Sequence, residues 1–162
     1  MIIRTAQPKS GRRLTVLVVE YEPLLAFDLL DELAVLGHEG VGPVMAGRDV
    51  MAVREERRID LALVDINLLD GRTGIDVGRY LAVHGIPYAF LTASPEALPP
   101  DLAGAIAVVA KLCAAEELRL ALKYLCDITL GDEGNNCPPL ALLPQPAMAA
   151  PDPSRTLAGR AS

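Results

Sequence analysis

Leu61-Ala62-Leu63-Val64-Asp65-Ile66-Asn67-Leu68 decides the fold, because an apolar run without polar alternation leads straight into an acid. A strand apolar on both faces must be covered on both faces, which is the habit of parallel sheets flanked by helices. Runs of the same kind recur at Leu14 to Val19, Pro87 to Leu91 and Ile106 to Ala110. A weaker one spans Glu39 to Val44, where Gly40, Gly42 and Pro43 mark an edge strand. Amphipathic stretches fall between them. Pro23 suits the first turn of a helix carrying Leu25, Leu29, Leu33 and Leu36 on one stripe and ending at Gly37. Helices are likewise predicted over Gly47 to Arg57, Thr73 to His84, and Ala114 to about Leu130. Pro95, Pro99 and Pro100 leave room for only a short or irregular helix before the fifth strand. Strand and helix in turn make an α/β domain with a parallel sheet and helices on both faces.

The chain has 162 residues and is 51% hydrophobic, enough for one core and too little for two ordinary domains. Residues 1–12 read as a flexible arm, 13–130 as the domain, and 131–162, with Pro138, Pro139, Pro144, Pro146, Pro151 and Pro153, as a disordered Pro/Ala-rich tail. No output domain is therefore expected in cis. Lys and Arg number 15 against 21 Asp and Glu, a formal charge of -6, which argues against nucleic acid or an anionic membrane as partner. With no signal peptide or membrane span legible, a cytoplasmic location is expected. Cys113, Cys126 and Cys137 are widely spaced and lack a C-x-x-C pair, so they read as reduced thiols, and His38 and His84 read as surface or packing residues. Leu120, Tyr124 and Ile128 fall together on a second face of the last helix, a candidate partner surface.

In an open parallel sheet ligands lie beyond the carboxyl ends of the strands. The residues there are Glu20 and Tyr21, Asp65, Thr92 and Lys111. Asp65, at the mouth of a dry cleft, is a candidate nucleophile toward phosphorus if a divalent cation and a lysine cancel the repulsion between anions. Mg²⁺ takes oxygen ligands and keeps several waters, so Glu20, Asp65 and the backbone carbonyl of Asn67 could hold it. Lys111 would balance charge on the phosphoryl oxygens, and Thr92 could turn its hydroxyl onto one of them.

The stretches Val16 to Leu24 (VLVVEYEPL), Leu61 to Leu68 (LALVDINL), Leu91 to Ser94 (LTAS) and Val109 to Lys111 (VAK) together resemble the receiver domain of two-component response regulators. Pro87 to Ala93 is similar, in part, to receivers whose fourth strand carries a Phe-Ala-Thr-Gly signature. The resemblance implies a five-stranded, doubly wound, flavodoxin-like α/β fold with strand order 2-1-3-4-5. It implies that Asp65 is the phosphoacceptor, Glu20 a metal-site acid, Thr92 the switch hydroxyl and Lys111 the phosphate-pairing lysine. It further implies a histidine kinase or histidine phosphotransfer protein as donor, a downstream protein target, and a phosphorelay part rather than an enzyme; a homodimer stays open. Three positions depart from the family. Tyr21 stands where a second acid is usual, which predicts weakened Mg²⁺ binding unless Glu22 substitutes. Val108, Val109 and Ala110 occupy the region of the aromatic switch residue, and Leu112 replaces the proline after the lysine, so the loop bearing Lys111 could be placed differently. The alternative is a degenerate receiver that binds proteins without phosphorylation. A nucleotide-binding enzyme is disfavoured, since neither G-x-G-x-x-G nor G-K-[ST] follows the first strand.

Overall fold

The computed structural model describes residues 11–111, 113–132 and 142. Its strands are β1 (Thr15–Val19), β2 (Glu39–Val44), β3 (Leu61–Asp65), β4 (Tyr88–Thr92) and β5 (Ala107–Ala110). They form one sheet in the order β2-β1-β3-β4-β5, every pair parallel. The helices are α1 (Pro23–Val35), α2 (Val50–Glu56), α3 (Gly74–Val83) and α4 (Ala115–Thr129). This is the doubly wound order expected from the resemblance, with β2 on an edge.

Alternate side chains along each strand feed two separate cores, as a period of two requires. Val16, Val18, Leu61, Leu63, Leu91 and Val109 pack with Leu29 and Leu33 of α1 and with Ala121, Leu122 and Leu125 of α4. Leu17, Val19, Ala62, Val64, Phe90 and Val108 pack on the opposite face with Val50 of α2 and with Val77 and Leu81 of α3. No residue of β3 has a polar way out, since all five positions are buried. The sheet is thereby fixed as a rigid plate whose carboxyl edge carries Glu20, Asp65, Thr92 and Lys111.

Of four local expectations, the short or irregular element between β4 and β5 is met and the other three are corrected. The Gly47 to Arg57 helix begins as a 3-10 turn over Gly47–Asp49 and becomes α-helical only from Val50. Between β4 and β5 there is no α-helix but two 3-10 turns, Pro95–Ala97 and Leu102–Gly104. Leu102 and Ala103 there take left-handed φ angles of 49° and 51°. The conformation is unfavourable for residues with a Cβ, and it is held by the Tyr88 hydroxyl, which donates to the Ala103 carbonyl at 2.5 Å, and by the Asp101 carboxylate, which accepts from the Ala103 N–H at 3.0 Å. Burial pushes the Tyr88 phenol up to about 12, so it stays a donor. Third, Leu120, Tyr124 and Ile128 do not make one free face: Leu120 is exposed, but Ile128 packs against the first core. Fourth, the amine of Lys111 reaches the acids despite the missing proline, as described below; Leu112 itself lies outside the described residues.

His38 is buried, its Nδ1 accepts the Leu14 N–H at 3.3 Å, and burial lowers its pKa, so it is a neutral packing residue. Cys126 is buried, with its thiol pushed up to about 12 by desolvation, whereas Cys137 is outside the described residues. The expected arm and tail likewise lie outside them, apart from Gly11 and Arg12, Gly131 and Asp132, and Leu142. Among the described residues no helix is long and apolar enough to cross a membrane.

Candidate functional site

Strand register brings the acids to one place. Val19 lies beside Val64, so Glu20, which follows β1, stands next to Asp65 at the end of β3. On the other side Asp65 lies beside Leu91 and Thr92 beside Ala110, and the Lys111 N–H donates to the Thr92 carbonyl at 3.0 Å. That last bond extends the β4–β5 ladder by one residue and sets Lys111 at the same sheet edge as the acids. Its Nζ lies 2.7 Å from Asp65 Oδ2 and 2.9 Å from Glu20 Oε2. Glu20 is fully buried, Asp65 is 2% exposed, and the Lys111 side chain is 12% exposed.

Two carboxylates this dry are tolerable only because a cation lies between them. Burial pushes the Glu20 pKa up, against the pull of the Glu22 N–H and Lys111, and the Asp65 charge raises it further. Burial by itself would lower the Lys111 ammonium, but its bonds to Asp65 and Glu20 outweigh this and hold it above its usual value. Glu20 Oε1 accepts the Glu22 N–H at 2.9 Å, while Oε2 has no hydrogen-bond partner although the ammonium is beside it.

Glu20 Oε2, buried beside the ammonium, and the Asp65 carboxylate are two charged oxygen donors of the kind a hard cation takes. The residues present therefore fit Mg²⁺ as a sparse site, completed by water. Among the described residues no group of three acidic, His or Cys side chains could hold a metal ion. Tyr21 is 41% exposed beside Glu20, and the Glu22 side chain is exposed as well, its backbone serving as the N-cap of α1. The Asn67 N–H donates to Asp65 Oδ1 at 3.2 Å, which sets the Asn67 backbone against the acid. Thr92 is 2% exposed, and its hydroxyl oxygen accepts the Ser94 N–H at 2.9 Å. This bond occupies an acceptor pair and leaves the O–H proton free to donate.

Sequence reasoning missed Asp70. Its carboxylate accepts from the Thr73 hydroxyl at 2.7 Å and from the backbone N–H groups of Gly47 and Arg48 at 3.0 and 3.2 Å. With the Thr73 bond foremost, these hold its pKa at about 2. Asp70 thus staples the loop after β3 to the loop after β2, beside the Leu69 N–H to Met45 carbonyl bond of 2.8 Å. The signal was available as Asp-Gly followed by Thr three residues after the acid, a turn running into a helix. Gly74 is the second position missed. A Cβ there would collide with the Asp65 carbonyl oxygen and lie 2.6 Å from the Ile66 Cα, so only glycine lets α3 start this close to the acid. Gly74→Ala is expected to cost about 2–3 kcal/mol by overpacking, and urea titration of the variant would measure it; an unchanged midpoint would show that the backbone can yield.

No family model matches the chain. The phyllosphere-induced regulator PhyR of Methylorubrum extorquens is 34% identical over 102 residues, which cover 58% of this chain and 38% of that protein. The chain thus spans well under half the length of that relative. The PhyR response-regulator receiver domain of Erythrobacter litoralis superposes with a TM-score of 0.64 at 26% identity, covering 79% of this chain and 98% of that one. The chain carries a response-regulator receiver domain. SdrG of Sphingomonas melonis Fr1 is also similar to this receiver, with 32% identity, a TM-score of 0.58, and coverage of 70% of this chain and 97% of that one. These relatives are signalling proteins, and the receiver's strand order is that of the two-component family.

Proposed function

We propose that Asp65 of this receiver accepts a phosphoryl group from a phosphohistidine on a histidine kinase or histidine phosphotransfer protein, and that the chain then signals by contact with a downstream protein. The observation supporting this most directly is the Lys111 amine between two buried carboxylates, 2.7 Å from Asp65 and 2.9 Å from Glu20. In the transfer an Asp65 oxygen forms the new bond to phosphorus, the phosphorus–nitrogen bond of the donor breaks, and the released imidazole takes up a proton. Lys111 stays with the phosphoryl oxygens and offsets their charge. Thr92 turns its free O–H onto one of them, a hydrogen bond that only the phosphorylated state can make, and so biases a change in the loop at Ser94. Mg²⁺, held by Glu20, Asp65 and the Asn67 carbonyl, would supply further positive charge at the transferring group. Tyr21, Leu24, Met45 and Leu69 are exposed on the loops and helix start around this mouth, and such an apolar rim suits a protein rather than a small molecule.

Intact-mass measurement after incubation with Mg²⁺ and a small phosphodonor tests this, and Asp65→Asn is expected to abolish the mass gain completely. A wild-type chain that stays unmodified, even with a cognate kinase, would favour the second reading, a degenerate receiver that binds its target without phosphorylation. The specific observation for that reading is Tyr21, a neutral phenol where a metal-site acid would stand.

A further inference from the structure

Backbone bonds close the loop after β3 on itself. The Leu68 N–H donates to the Gly71 carbonyl at 2.8 Å and the Gly71 N–H donates back to the Leu68 carbonyl at 3.0 Å, a tight turn around Leu69 and Asp70. The Asn67–Leu68 peptide is trans, so its carbonyl points opposite to its N–H. Because that N–H is committed to Gly71, the direction of the Asn67 carbonyl follows from where the turn sits. Burial alone holds the turn weakly: Asn67, Leu69 and Gly71 are exposed, and Leu68 is the side chain that enters the core. The Asp70 carboxylate supplies the missing anchor. It accepts from the Thr73 hydroxyl just before α3 and from the Gly47 and Arg48 N–H groups of the loop after β2.

We propose that Asp70 is a positioning residue for the metal site: by pinning the Leu68–Gly71 turn to the loop after β2, it fixes the direction of the Asn67 carbonyl. This rests on the reading of Glu20, Asp65 and the Asn67 carbonyl as the Mg²⁺ ligands. A carboxylate suits the task, since its two oxygens accept all three bonds at once, and a pKa of about 2 keeps it ionised. A site with two charged groups, Glu20 and Asp65, depends the more on its neutral ligand, so a carbonyl free to turn away costs a large share of the affinity.

Mg²⁺ titration of the full chain, followed residue by residue through amide NMR shifts, tests it. Asp70→Ala is expected to raise the Mg²⁺ Kd about tenfold. Asp70→Asn, which keeps one acceptor oxygen, should raise it less. Thr73→Val retains the charge at position 70 but removes the 2.7 Å bond, and should also weaken binding. Asp49→Asn removes a like charge from the same loop without touching the turn, and its Kd should stay within about twofold of the wild type. Unchanged amide signals in β1 and β3 would show the fold intact; should Asp70→Ala fail to fold, Asp70→Asn and Thr73→Val carry the comparison. Wild-type Kd in the Asp70 and Thr73 variants would overturn the positioning role. Equal weakening by Asp70→Asn and Asp49→Asn would overturn it too, by leaving charge as the whole effect. A wild type that binds no Mg²⁺, or binds it as well after Asp65→Asn, would instead overturn the metal reading itself, and the role of Asp70 with it.

Discussion

Lys111→Met is expected to cost about 3–5 kcal/mol at neutral pH, the usual result of removing one partner from a buried ion pair. The cause is the state left behind: Glu20, fully buried, and Asp65, 2% exposed, would face each other with no cation between them. The pH dependence separates this from lost packing. Burial already raises the Glu20 pKa above 4.5, and removing the ammonium raises it further. Between 4.5 and that raised value the folded variant binds more protons than the unfolded one, so its deficit shrinks as pH falls through the window. Lys111 has the opposite reach. Its folded pKa lies above 10.5, so its contribution is fully present below that value and is lost as pH rises beyond it. Chemical denaturation from mildly acidic to strongly alkaline pH would show a wild-type alkaline loss that the variant lacks. An identical deficit at every pH would mean that the methylene stem, not the charge, matters. Mg²⁺ should restore part of the variant's stability, because it would supply positive charge to the same oxygens.

How far the site was legible depended on whether its signal was local. Asp65 was plain from four apolar residues followed by an acid, since burial on both faces leaves the strand end as the first place a charge can surface. Glu20 followed from the same logic on β1. Lys111 was named by the same strand-end rule after β5, but nothing near Val109-Ala110-Lys111 says that its amine pairs with both acids at once; that contact is long-range. The order of the five strands came through the resemblance, while alternation alone reached no further than a parallel sheet. Asp70 was overlooked because its bonds to Gly47 and Arg48 join loops more than twenty residues apart in sequence. The prolines between β4 and β5 correctly argued against a long helix. The left-handed Leu102 and Ala103 carry no Gly or Asn signal, because tertiary bonds from Tyr88 and Asp101 impose that conformation. Leu142 was hidden for a similar reason: prolines around it read as tail, and pairing with Val109 is a long-range fact.

Tyr21→Asp is expected to tighten Mg²⁺ binding roughly ten- to a hundredfold, since affinity for a hard cation follows the number of charged oxygens offered to it. The wild-type site has two such groups, Glu20 and Asp65, and position 21 follows Glu20 at the rim where a third carboxylate could turn inward. Without metal the variant should be less stable than the wild type, because a third negative charge joins two carboxylates that share a single ammonium. With saturating Mg²⁺ the order should reverse, since a ligand that binds only the folded state adds stability with the logarithm of its concentration over Kd. Tyr21→Phe, which keeps the ring and adds no charge, should follow the wild type throughout. Thermal-shift curves of the three chains against Mg²⁺ concentration make the comparison. If the aspartate variant and the wild type respond alike, position 21 does not face the ion, and the weak metal site must be explained by the hold of Lys111 on both acids.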